Sequence, residues 1–171
     1  MKTELKRKEI SVAGRSFAII VASWNSDYTS KLSAGAQEAL VGAGAKLEDI
    51  DIFQVPGAFE LPVASLKAAN SREYAAVIAL GVVIRGDTPH FDYVAGQAAS
   101  GLMQASMQTG VPVMFGVITA DNVEQVMARC GEKADNKGYE AAISAIETAD
   151  ALSDIENRAK SRREERNDIP F

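Results

Sequence analysis

The only histidine of the chain, His90, closes the segment RGDTPH (85–90), directly behind Gly86, Asp87 and Thr88. Glycine lets a backbone come close to a ligand, and a threonine hydroxyl beside unpaired helix-start amides can hold a phosphate. An imidazole next to that phosphate can move protons near neutral pH. The same residues also have a plainer reading. A histidine at a loop–helix junction often caps the helix or faces solvent, and Gly-Asp-Thr is an ordinary turn sequence. Two cations follow later, Arg129 and Lys137. Arginine in the last turn of a helix complements the dipole, whereas Lys137, in NKG at a helix start, opposes it, which favours a ligand role. Trp24, the only tryptophan, either stacks on a flat heterocycle or caps the core. Glu60 follows a Pro-Gly turn at a helix start, where an acid is favoured in any case. Cys130 has no histidine near it and reads as a packing residue.

Such residues act together only if the fold gathers them, and the hydropathy pattern states which elements do so. FAIIVA (17–22) reads as a buried strand. Leu32, Gly35, Ala36, Ala39, Leu40 and Ala43 then recur at helical spacing, with Gly42 and Gly44 ending the helix. DIFQV (51–55) is a second strand, followed by the Pro-Gly turn and a helix over about 58–69. AVIALGVVI (76–84) is nearly all apolar, as a strand covered on both faces must be. Val94, Ala98, Leu102 and Ala105 mark a helix closed by Gly110, and VPVMFGVI (111–118) is the fourth strand. Asp121 with Glu124 predicts a capped start for a short helix that Gly131 stops. Tyr139, Ala142, Ile143, Ile146 and Ala149 line one side of the last helix.

Four strands alternating with helices over short links predict parallel pairing and right-handed crossovers. The expected fold is a three-layer α/β/α sandwich on a four-stranded parallel sheet, with a flavodoxin-like order that places strand 1 inside. In such sheets ligands bind beyond the carboxyl ends of the strands. The loops there are SWNSDYTS, VPGAFE, IRGDTPHFD and TADN, and they contain the lone tryptophan and the lone histidine.

Composition removes several alternatives. A chain of 171 residues, 47% apolar and 24% charged, can bury a core without disulfides or metals. A net charge of −5 disfavours general nucleic-acid binding. One cysteine excludes an internal disulfide, and one histidine excludes multi-histidine metal sites. No apolar stretch reaches the roughly 18 residues of a membrane helix. The start, MKTELKRKEI, lacks an apolar leader core, so a cytoplasmic location is expected. Neither G-x-G-x-x-G after strand 1, nor a P-loop, nor a G-x-S-x-G elbow is present. The expected organisation is an arm (1–15), a catalytic domain (16–152) and a charged tail (153–171). Within the tail, ENRAKSRREERND (156–168) has five basic and four acidic residues with little to bury, and is either a solvated helix extension or disorder.

Physics alone ends at an α/β domain for a phosphorylated or heterocyclic small molecule. The loops carry more. VPGAFELP (55–62), ALGVVIRGDTPHFDYV (79–94), PVMFGVIT (112–119) and ADNKGYEAA (134–142) closely resemble the lumazine synthase family, and WNSDYTSKL (24–32) is similar to its first loop. The resemblance implies condensation of 5-amino-6-(D-ribitylamino)uracil with 3,4-dihydroxy-2-butanone 4-phosphate to 6,7-dimethyl-8-ribityllumazine, phosphate and water, in riboflavin biosynthesis, without metal or redox cofactor. It implies proton transfer by His90, and phosphate binding by Gly86, Asp87, Thr88 and Arg129. It further implies that Trp24 stacks on the pyrimidine beside Asn25, and that Ala58, Phe59, Glu60, Val82 and Val83 complete the substrate pocket. Phe115, Lys137 and Arg129 are implied to come from a neighbouring subunit, in rings of five that can build 60-subunit icosahedral shells. ARCGEKADNKG has no insertion, which is compatible with a shell, although Asp135 replaces an expected glycine. Residues Ile10 to Arg15 are implied to add a strand to a neighbour. Trp24 stands where a phenylalanine is usual, and the extension beyond Ser153 has no counterpart in the resemblance.

Overall fold

AVIALGVVI carries no charge and no hydroxyl, so it is stable as a strand only with both faces covered. It forms β3 (Ala76–Ile84), buried from Ala76 to Val82. The computed structural model describes residues 10–167, and β3 is the centre of what it describes. The wholly buried β1 (Phe17–Ala22) pairs with one side of β3, and β4 (Val113–Ala120) pairs with the other. Beyond β1 lies β2 (Ile50–Val55), giving the order β2-β1-β3-β4 with every pair parallel. Strand 1 is inside, as expected.

Period-two alternation sends the side chains of β1 to two different layers. Phe17, Ile19 and Val21 face the layer of α1 (Ser26–Gly42) and α5 (Lys137–Asn167), where they meet Leu32, Ala36, Leu40, Ala142 and Ile146. Ala18, Ile20 and Ala22 face α2 (Leu61–Asn70) and α3 (His90–Thr109), meeting Leu61, Ala69, Ala98, Leu102 and Ala105. The helical spacing in the sequence thus picks out the inward faces. A short α4 (Val123–Met127) adds Val126 to the first layer. Among the described residues, no helix is long and apolar enough to cross a membrane.

Three boundaries differ from expectation, each for a physical reason. The fourth strand starts at Val113 rather than Val111, because the Ser106 hydroxyl takes up the backbone of both residues as α3 ends. The cap of α4 is Asn122, not Asp121: Asn122 Oδ1 accepts the Gln125 amide at 2.9 Å, while the Asp121 carboxylate is held by Arg85. This helix ends at Met127, before Gly131, since Cys130 forms an antiparallel bridge with Asn136. Of the two readings of the tail, the described part takes the first: α5 runs on to Asn167 as a solvated helix extension.

Of the expected arm, residues 1–9 lie outside the described residues. Residues 10–15 form no strand, and Val12 is fully buried in the chain's own core, its amide donating to the Ala43 carbonyl at 3.0 Å. Residues 168–171 also lie outside the described range.

Candidate active site

Because all four strands are parallel, their carboxyl ends meet at one edge of the sheet, and three loops there build a cavity. In the first loop the β1–β2 ladder continues past the strands. The amide of Ser23 donates to the Val55 carbonyl at 2.8 Å, and that of Trp24 to the Pro56 carbonyl at 3.0 Å. The indole is thereby laid against Gly57, where any Cβ would sit 3.6 Å from a ring carbon. Asn25 then turns the chain into α1 in a left-handed conformation (φ 61°), which asparagine tolerates better than most residues. Its Nδ2 donates to the Val82 carbonyl at 3.0 Å, tying this loop to β3.

The second loop makes a three-ten turn at Ala58–Glu60 before α2 begins at Leu61. Glu60 Oε2 accepts the Gly57 amide at 2.8 Å, so the carboxylate is oriented by its own turn. The third loop, from Arg85 to Pro89, leads into α3, whose first residue is His90. Thr88 Oγ1 lies 3.5 Å from the His90 amide, and the Asp92 amide donates to the Pro89 carbonyl at 3.0 Å. Arg85 anchors this loop: its backbone amide donates to the Ala120 carbonyl, and its guanidinium lies 4.1 Å from the centre of the Phe91 ring.

The cavity so formed has a volume of about 540 Å³, within the range of small-molecule sites. Ten of the residues singled out from the sequence line it: Trp24, Asn25, Ala58, Phe59, Glu60, Val82, Val83, Gly86, Thr88 and His90. Four do not. Asp87 belongs to the third loop, between Gly86 and Thr88, but is exposed and does not line the cavity. Phe115 sits opposite Ala79, three register positions short of the Val82–Ile118 pair at the rim. Arg129 follows α4, its Nη1 donating to the Gln125 carbonyl at 2.8 Å, and Lys137 opens α5 with its ammonium 2.6 Å from Glu140 Oε2. Lys137 and the neighbours of Arg129 belong to the α1/α5 side of the sheet, whereas the cavity is walled by the 24–25 loop, the 56–60 turn, the end of β3 and the start of α3. Within its own chain Arg129 thus bonds a carbonyl of α4 from a position just beyond the helix.

Sequence reasoning passed over Pro56, Gly57, Ile84, Phe91, Tyr93 and Val94, which also line the cavity. A signal for two of them was available. His90, Tyr93 and Val94 share the i, i+3, i+4 spacing of one helical face, so the face that carries the imidazole carries them too.

An open parallel sheet with a mixed aromatic, carboxylate and imidazole cavity at its carboxyl edge defines a small-molecule enzyme of the α/β class. Residues 14–153 match the family profile of 6,7-dimethyl-8-ribityllumazine synthase. A 6,7-dimethyl-8-ribityllumazine synthase of Clostridium kluyveri is 47% identical over 148 residues, spanning 86% of this chain and 96% of that protein. The chain belongs to the 6,7-dimethyl-8-ribityllumazine synthase family, a family of transferases.

Proposed function

We infer that the cavity condenses 5-amino-6-(D-ribitylamino)uracil with 3,4-dihydroxy-2-butanone 4-phosphate, releasing phosphate and water. One observation carries the reading. A single cavity of about 540 Å³ holds an aromatic plate (Trp24), a braced carboxylate (Glu60) and an imidazole beside a threonine hydroxyl (His90 and Thr88). Each suits one part of the two substrates.

In this reading Trp24 stacks on the pyrimidine next to Asn25, with Val82 and Val83 as its apolar floor. Backbone groups of Ala58 and Phe59 meet the ring edge, and Glu60 accepts hydrogen bonds from ribityl hydroxyls. The phosphate sits at the start of α3, against Gly86, Asp87 and Thr88. His90 takes and returns protons as the amine adds to the ketone, water leaves, and the phosphate is eliminated. Fixed donors around the phosphate stabilise the charge that develops on departure.

The remaining three residues point to self-association. Phe115, Arg129 and Lys137 lie away from their own cavity, and we assign them to the cavity of a neighbouring copy, with the Arg129 guanidinium paired to the phosphate. The surface supports this assignment: Val63 is 68% exposed on α2, Met107 is 78% exposed on α3, and Met103 and Tyr93 are also exposed. The outer strand β2 likewise presents Ile52 and Phe53. Rings of five that share their sites, with a 60-subunit shell as the higher assembly, are the proposed state. A reducing, cytoplasmic setting suits the single buried thiol of Cys130.

Mixing the protein with both substrates should produce lumazine absorbance and an equal amount of free phosphate. Failure to exceed the spontaneous rate at high protein concentration overturns the reaction. Sedimentation of the same sample should show a pentamer or a multiple of it, and a monomer overturns the shared site.

A further inference from the structure

Between Arg129 and Lys137 lies Asn136, a polar residue only 3% exposed. Its carboxamide makes four hydrogen bonds. Nδ2 donates to the Lys31 carbonyl on α1 at 3.0 Å and to the Gly131 carbonyl at 2.9 Å. Oδ1 accepts the amides of Gly138 at 2.9 Å and Tyr139 at 3.0 Å. Both donors and both acceptor lone pairs are thus used, the most an asparagine can achieve. The backbone adds two more ties, which make the Cys130–Asn136 bridge: the Lys137 amide donates to the Arg129 carbonyl at 2.9 Å, and the Gly131 amide to the Asp135 carbonyl at 3.1 Å.

Space has been made for this side chain. The facing residue on α1 is Gly35, where a Cβ would collide with the Asn136 carboxamide. A buried, fully satisfied carboxamide wedged between two helices is a rigid node. The residues hung from it, Arg129 and Lys137, are exposed and are not used by the cavity of their own chain.

We propose that Asn136 is the positioning residue for Arg129 and Lys137. It locks the 129–137 loop to α1, so that both cations reach the phosphate end of a neighbouring copy's cavity in a fixed geometry. The proposal deepens the shared-site reading and rests on it. Asn136 touches no substrate. It acts through the placement of two groups that do.

Asn136→Ser is the informative variant. Serine still offers an oxygen to the amides at the start of α5, where it is a good cap, but it cannot span to the Lys31 and Gly131 carbonyls. The assembled variant should show a KM for 3,4-dihydroxy-2-butanone 4-phosphate, and a Ki for inorganic phosphate, raised about tenfold. Its KM for the aminouracil and its kcat at saturation should stay within about twofold, a split that a merely structural loss would not give. Gly35→Ala reaches the same node from α1, adding a methyl where the carboxamide lies while leaving Asn136 itself unchanged, and should shift the same two constants. It keeps the test open if the serine variant does not assemble. An unchanged KM and Ki in an assembled variant, while Arg129→Ala raises both, overturns the positioning role alone. If Arg129→Ala also leaves them unchanged, the shared-site reading fails and the positioning role fails with it.

Discussion

Arg85 Nε lies 2.9 Å from Asp121 Oδ1, joining the loop after β3 to the loop after β4. The same guanidinium reaches Asp92 Oδ1 at 3.2 Å and stacks over Phe91, closing residues 85–92 into a ring that contains Gly86, Thr88 and His90. The hydrogen bond to Asp121 is the main reason the guanidinium is held above its ordinary pKa. These ion pairs are exposed, so they add little to global stability, but they fix where α3 begins. Arg85→Gln should therefore leave the melting temperature nearly unchanged and lower kcat/KM by about tenfold or less, by loosening the His90 loop. Steady-state kinetics beside a thermal melt check both halves, and wild-type kinetics would remove the ring from the mechanism.

His90 itself is exposed at the first turn of α3 and supports no core contact. Removing it should spare the fold and slow the chemistry. His90→Ala is expected to lower kcat by about 10²-fold, the usual contribution of a positioned acid–base group, with an unaltered circular dichroism spectrum. Turnover equal to wild type would leave the imidazole without a role.

The proposed sharing of sites between copies makes a prediction about mixtures. At sub-saturating 3,4-dihydroxy-2-butanone 4-phosphate, His90→Ala and Arg129→Ala should each turn over poorly alone, the first through kcat and the second through KM, because every cavity lacks one member of the pair. In rings assembled from equal amounts of both, about one quarter of the cavities should combine an intact His90 with an intact Arg129 from the adjacent copy. Co-expression followed by assay would show activity rising well above the mean of the two variants. A mixture that never exceeds that mean places both groups in one chain's site and ends the trans assignment.

The parts of this molecule that are legible in its sequence are those set by near neighbours. The unbroken apolar run of β3 requires two covering layers, and Ala98, Leu102 and Ala105 share one face of α3 by spacing alone. The strand-end rule then selects the loops holding Trp24, Glu60 and His90 without any knowledge of packing. Distant partners are what the sequence hides. Asp121 loses its capping role to Asn122 because Arg85, 36 residues away, takes its carboxylate. Asn136 gives no local signal, since its most telling partner, Lys31, is 105 positions distant. Phe115, Arg129 and Lys137 do not line the cavity of their own chain, and the role proposed for them lies between copies, where neither hydropathy nor one chain's cavity can reveal it.

Close approach of α1 and α5 leads to a stability prediction. A Cβ on Gly138 would run into the backbone carbonyl of Leu32, and a carbonyl inside a helix cannot swing aside as a side-chain tip can. Gly138→Ala should therefore destabilise despite the better helix propensity of alanine. Overpacking of this kind costs about 1–3 kcal/mol. Urea unfolding monitored by circular dichroism should give a lower midpoint with a similar slope. An unchanged or higher midpoint would mean that the helix pair can spread to admit the methyl group.

The final prediction concerns alkaline pH. Tyr74 Oη donates to Asp51 Oδ2 at 2.8 Å, across from the strand β2 to the segment entering β3. Burial, then the hydrogen bond and charge of Asp51, then the charge of Glu73, push its pKa from 10.0 up to about 12. The fold therefore retains a phenolic proton that the unfolded chain releases near its ordinary pKa. Stability linked to this group is whole below pH 10 and is lost as the pH rises through about 12. The difference in unfolding free energy between wild type and Tyr74→Phe should be constant below that window and shrink across it, because phenylalanine has no proton to hold. Urea unfolding of both proteins below and within the window, with tyrosinate absorbance followed in parallel, measures the difference directly. A difference that stays level through the window would show that Asp51 does not hold the neutral phenol.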